Sequence, residues 1–173
     1  MKETKLDSYC HTVSHYKGLI YVGRGMFYGR IDRINQLGQV DKGFIKLENV
    51  VNSLVAHRNR LYCLLRGKLS ATLSVYGLDG RLLTSWKHPP YLHFGEQISV
   101  INNDQLAVGD WKGKQIIIYS LTGDVIRRVP LPDCLTMKST VCMSSCRDDS
   151  VVISDKIAGK VVRISLKDGS LIW

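Results

Sequence analysis

The stretch Ile116-Ile117-Ile118-Tyr119-Ser120-Leu121, running into Thr122-Gly123-Asp124, decides the fold. A short run of β-branched and aromatic residues that ends on a glycine between polar neighbours marks a strand entering a tight turn. The same form recurs three more times. Arg30-Ile31-Asp32-Arg33-Ile34-Asn35 leads into Leu37-Gly38-Gln39, and Leu73-Ser74-Val75-Tyr76-Gly77-Leu78 leads into Asp79-Gly80-Arg81. Val161-Val162-Arg163-Ile164-Ser165-Leu166 leads into Asp168-Gly169-Ser170. The turn glycines Gly38, Gly80, Gly123 and Gly169 are separated by 42, 43 and 46 residues.

A second register gives the same period. Upstream of each glycine turn lies a short apolar strand: Leu19 to Val22, Leu61 to Leu65, Leu106 to Val108 and Val151 to Ile153. Polar turns precede three of these, as in His57-Arg58-Asn59-Arg60. Before those turns come further strands such as Val50 to Val55 and Ile98 to Ile101. Each unit therefore reads strand A, turn, strand B, loop, strand C, glycine turn, strand D. Helical spacing is sustained nowhere. A period of about 40–45 residues with four strands per unit is that of propeller blades.

The expected fold is all-β: a β-propeller of four blade-like repeats of four antiparallel strands, partial or small. One domain is expected over residues 1–173, with approximate blades at 8–47, 48–94, 95–138 and 139–173. The last unit reaches Ile172-Trp173 just after its glycine turn, so its outermost strand is barely begun. An open arc would leave sheet edges and blade faces uncovered, which self-association or further blades would remedy.

Composition fits a folded domain, with 45% hydrophobic and 23% charged residues in 173. No stretch approaches the ~18 apolar residues of a membrane helix, so no membrane partner is expected. The start, Met1-Lys2-Glu3-Thr4-Lys5-Leu6-Asp7, alternates charge where a secretory leader would be apolar, which reads as cytoplasmic. Cys10, Cys63, Cys134, Cys142 and Cys146 are odd in number and irregular in spacing, and are expected as small reduced core residues.

From about Ser14 to Trp173 the units resemble NHL-type propeller repeats. The resemblance rests on Leu106-Ala107-Val108-Gly109-Asp110, the loop Lys112-Gly113-Lys114 and the strand and turn quoted first, and again on Val152-Ile153-Ser154-Asp155 through Lys167-Asp168-Gly169. It is similar to the C-terminal propeller of tripartite-motif proteins. That resemblance implies recognition of a protein or an RNA, with ubiquitin transfer carried by a separate RING and B-box. No zinc-spaced Cys/His array is present to carry that transfer here. Leu166 to Trp173 is also similar to the tryptophan-docking segment of quinoprotein propellers, and a lactonase-like propeller would place Glu48, Asn49 and Glu96 near a central metal, with only Ser139 and Thr140 at the matching stretch of the third inter-blade segment.

Net charge is +9, which suits an acidic partner. Every B–C loop carries two basic residues: Arg24 and Arg30, Arg66 and Lys68, Lys112 and Lys114, Lys156 and Lys160. Phe27, Tyr28 and Trp111 lie among them, and Trp86, His88, Tyr91, His93 and Phe94 follow strand D of the second unit. Arg24, Arg30, Arg66, Lys68, Trp111, Lys112, Lys114, Lys156 and Lys160 are accordingly the candidate partner-binding residues. Basic and aromatic side chains together suit a protein interface or stacked single-stranded RNA. A plainer reading has the lysines neutralising Asp110 and Asp155 and the aromatics packing between blades. The charge is uneven, with +7 over residues 1–96 and +2 over 97–173, which weakens a continuous RNA track.

No phosphate loop, nucleophile elbow, zinc motif or paired carboxylate motif appears; Gly23-x-Gly25-x-x-x-Gly29 lacks a P-loop's spacing. His11 and His15 share a strand face near Cys10 and read as a polar edge. No catalytic residue, metal or cofactor is expected. The leading expectation is a non-catalytic module that recognises a protein partner, as the substrate-recognition part of a ubiquitin-ligase-type protein. RNA binding through the B–C face is the first alternative, and a lactonase- or quinoprotein-like enzyme the second.

Overall fold

The computed structural model describes residues 9–25, 28–67, 71–87, 95–102, 104–135, 141–155 and 157–173, and among them there is no helix. The chain divides into two compact units, Met1–His88 and Pro89–Trp173.

The first unit holds two sheets. One runs in sequence order β1 (Cys10–Tyr16), β2 (Leu19–Arg24), β3 (Gly29–Ile34) and β4 (Val40–Leu47); the other runs β5 (Val50–His57), β6 (Arg60–Arg66), β7 (Ala71–Gly77) and β8 (Leu82–Lys87). The second unit repeats the plan with β9 (Gly95–Ile101), β10 (Gln105–Asp110), β11 (Gln115–Ser120) and β12 (Val125–Pro130), then β13 (Val141–Ser145), β14 (Ser150–Asp155) and β15 (Lys160–Ser165). All neighbouring strands within a sheet are antiparallel. These are the meandering blades of a β-propeller. The fourth sheet falls short of four strands where its outermost strand is barely begun, as the sequence implied. It has three, and its outer position is filled by a C-terminal stub, where Leu171 bridges Ile164 and Arg163 N–H donates to the Trp173 carbonyl at 2.9 Å.

Strand composition explains the layering. β6, β10 and β11 are apolar along nearly their whole length and buried on both faces, whereas the outer strands β8 and β12 carry Thr84, Ser85, Lys87, Arg127 and Arg128 and are largely exposed. In the first unit Tyr21, Ile31 and Ile45 pack on Val51, Leu54, Leu61 and Cys63 across the two sheets. In the second, Ile101, Ala107, Ile116 and Ile118 pack on Met143, Val151, Ile153 and Val162. Gly23 permits the close approach in the first unit, because a Cβ there would stand 2.6 Å from Thr12 Cγ2 and 2.7 Å from Val51 Cγ1.

The four turn glycines all adopt the left-handed conformation their spacing implied, with φ of 80° at Gly38, 87° at Gly80, 104° at Gly123 and 79° at Gly169. Each turn is braced by a short polar side chain. Asn35 Oδ1 accepts from Leu37 and Gln39 N–H, Asp79 Oδ1 from Arg81 N–H, Ser120 Oγ from Thr122 and Asp124 N–H, and Asp168 Oδ1 from Ser170 N–H.

The two sheets of the first unit join along a seam of hydroxyls. Leu54 N–H donates to Thr12 Oγ1 at 3.2 Å and Ala56 N–H to Ser14 Oγ at 2.9 Å. The constant offset means that β1 and β5 run parallel, side by side, with their following turns adjacent. The hydroxyls satisfy amides that an inner strand would otherwise leave open at its edge.

Candidate functional site

In a meander, A–B and C–D turns stand at one end of a sheet and B–C loops at the other, so the candidate basic residues that are described share one end of each sheet. Within the second unit, Asn102 Nδ2 donates to Asp149 Oδ1 at 3.0 Å and so joins its two A–B turns, which sets the loops after β10 and β14 together at the opposite end.

Burial sorts the candidates. Arg24 is 1% exposed, and its Nε lies 2.8 Å from Oδ2 of Asp32, a carboxylate with no exposure at all. Arg30 Nε reaches Asp32 Oδ1 at 3.1 Å, and Gly43 N–H donates to the same oxygen at 2.7 Å. Both arginines therefore balance a buried aspartate, and Arg24 leaves the set a partner could touch. A charge taken out of water requires such pairing. Trp111 leaves it too: at 4% exposure it packs in the core of the second unit with Ile116, Val129 and Leu135. Arg66, Lys112, Lys114 and Lys160 remain exposed at the loop ends, with Lys114 Nζ 3.4 Å from the fully solvated Asp133. Lys68 and Lys156 lie outside the described residues, as do Phe27, His88, Tyr91, His93, Phe94, Ser139 and Thr140, and the side chain of Glu96 is not described either. Trp86 is half-buried, Tyr28 is 82% exposed, Glu48 is exposed and Asn49 half-buried.

Two aspartates shape the loops of the second unit. Asp110, fully buried, accepts from Gly113 N–H at 2.9 Å and from Gln115 Nε2 at 2.8 Å. Asp155, 1% exposed, accepts from Ile157 N–H at 3.1 Å and Ala158 N–H at 3.0 Å. Neutral amides thus hold the Asp110 carboxylate, and two loop N–H groups brace that of Asp155. The Asp155 brace projects Ile157 into solvent at 55% exposure, and Val161 follows at 56% beside Lys160. Sequence reasoning passed over these two aliphatic side chains. The signal was available, because Asp155 two residues ahead of Ile157 is the side-chain-to-amide turn that short polar residues favour.

At the other end of this unit, Arg163 Nε donates to Ser150 Oγ at 3.0 Å, and the guanidinium also grips Asp148. The Ser150 hydroxyl and then Arg163 hold the Asp148 carboxyl below its ordinary range. Of the cysteines only Cys63 is buried, and burial pushes its thiol well up; Cys10, Cys134 and Cys142 are exposed and Cys146 half-buried, so the expectation of five core thiols holds for Cys63 alone. His11 Nε2 lies 2.7 Å from the Gly25 carbonyl oxygen. Among the described residues no three His, Cys, Asp or Glu side chains gather as metal ligands would.

No protein-family model matches the chain, and no curated protein matches it significantly. Solved structures do. A protein of unknown function from Bacteroides caccae aligns over 98% of this chain at 13% identity with a TM-score of 0.67. A chain of the nidogen/laminin complex aligns over 93% at 15% identity with a TM-score of 0.73. Glutaminyl cyclase from Myxococcus xanthus aligns over 95% at 14% identity with a TM-score of 0.67. The chain spans 61%, 61% and 69% of those three chains. At such identities the likeness establishes the propeller fold. That fold suits a binding or scaffold module and also occurs in an enzyme.

Proposed function

We infer that this chain is a non-catalytic module that recognises a protein partner through the B–C end of its second unit. The observation that carries this reading is the pairing of exposed Ile157 and Val161 with Lys160 on a loop fixed from beneath by buried Asp155. An aliphatic knob on a pre-ordered backbone loses little entropy on docking, and flanking cations set orientation and association rate. Lys112 and Lys114 extend the same end. The resemblance to tripartite-motif propellers supports a role as the substrate-recognition part of a ubiquitin-ligase-type protein. One of the similar solved chains comes from a nidogen/laminin complex, which supports protein binding as one use of this fold.

The test is co-purification with the 173-residue chain as bait. Partners recovered by the native chain are expected to be lost from I157D and from K112E/K114E/K160E, both still folded by circular dichroism. Recovery unchanged in both variants would move the interface elsewhere.

A further inference from the structure

A second concentration of charge lies at the A–B end of the first unit. Lys17 sits in the β1–β2 turn, and Arg58 and Arg60 lie in and beside the β5–β6 turn, all three exposed. The seam brings these turns together. Tyr16 OH accepts from Asn59 N–H at 3.2 Å and donates to Asn59 Oδ1 at 3.3 Å, clamping the turn that carries Lys17 to the one that carries Arg58. Lys17 Nζ stands 5.7 Å from the Tyr16 ring centroid. Arg58 and Arg60 both lie near enough to Tyr62 to oppose the rise that burial imposes on its phenol.

Among the described residues no carboxylate pairs with Lys17, Arg58 or Arg60. Asp32 is engaged by Arg24 and Arg30, Asp41 by Arg33 at 2.9 Å, and Asp79 accepts from the Arg81 N–H of its own turn. The backbone also argues against chance. Lys17 and Arg58 have φ of 49° and 45°, a region that glycine, asparagine and aspartate occupy at least cost. The corresponding turns of the second unit put Asn102 and Asp149 at positive φ. Backbone comfort alone would select such residues; the first unit has them second in each turn, as Gly18 and Asn59, but puts cations first.

A cleft of about 310 Å³ lined by Leu19, Arg33, Asn35, Gln39, Val40 and Asp41 opens two residues along from Lys17. The exposed aromatic rings described in this unit, Tyr9 and Tyr28, belong to the opposite end, and the half-buried Tyr16 ring here is already met by Lys17 Nζ and held at its hydroxyl by Asn59, a poor stacking surface for bases. We propose that the A–B end of the first unit binds an extended protein segment rich in Asp and Glu, whose carboxylates meet Lys17, Arg58 and Arg60. The site shares no residue with the Ile157 surface and stands without it.

The experiment is fluorescence anisotropy of a labelled Asp/Glu-rich peptide, with a labelled oligouridine as second probe, at low and physiological salt. The native chain is expected to bind the peptide, more weakly as salt rises. K17E/R58E should weaken binding at least about tenfold, while K46E/K87E, matched in charge change and set on outer strands of the same unit, should change it less than about threefold. K17N/R58N suits the turn backbone, stays folded, and should also lose binding. Three results overturn the proposal: no peptide binding at low salt, equal losses in K17E/R58E and K46E/K87E, or oligouridine binding more tightly through Lys17 and Arg58.

Discussion

Asp32 shows how much a single side chain decides. Its carboxylate, out of contact with solvent, is the counter-charge of fully buried Arg24 and half-buried Arg30. D32A would strand Arg24, and a loss of about 3–5 kcal/mol in urea unfolding is expected. The sequence displayed two arginines around a glycine-rich loop and invited a surface reading. Asp32 stands across the sheet from Val22, and that placement is what converts the pair from ligand-facing to structural. Titration works at the same scale. Burial lifts the Tyr119 phenol to about 12 from 10.0. The folded state then holds a proton that the unfolded chain releases between those values, so stability falls as pH rises from about 10 to 12. Y119F should flatten that fall in pH-dependent denaturation. Asp148 and Asp168 act in the other direction. Both sit below the ordinary 3.8, so the stability they lend is present above that pH and is lost as pH falls through their lowered folded values. D148N should remove part of the acid dependence.

At the level of strands and sheets, the seam between β1 and β5 was the least legible feature. Thr12 and Ser14 look like the polar half of an alternating strand, and their value appears only once Leu54 and Ala56 present their amides to them. T12V and S14A should each cost about 1–3 kcal/mol, because a buried amide loses its acceptor. Faster hydrogen exchange at Leu54 and Ala56 would confirm the cause. G23A tests the same join sterically, with about 1–3 kcal/mol expected from overpacking against Thr12 and Val51. The strands themselves were legible, since β-branched runs closed by Gly38, Gly80, Gly123 and Gly169 fix register and turn alike.

Over the whole molecule, repeat number and strand order could be read from spacing, because every blade must reproduce the same turn at the same interval. Function was far less legible. A pair of lysines or arginines recurs in each loop, yet whether a cation is free depends on a carboxylate several residues away, and the direction of the Trp111 ring depends on the core beneath it. The same layering that hid those facts predicts an order of exchange. Amides of β6, β10 and β11 should be the last to exchange, while β8, β12 and the stub at Leu171 exchange early by local opening.

Side-chain hydroxyls and a shared apolar core, not a backbone ladder, fasten the first sheet to the second. A module attached this way makes its demands through side chains: short oxygen-bearing groups at the right stagger, an apolar face to pack on, and a glycine where the faces meet. The join therefore lies in side chains that can be exchanged singly, while the hydrogen-bonded ladder inside each sheet is left untouched.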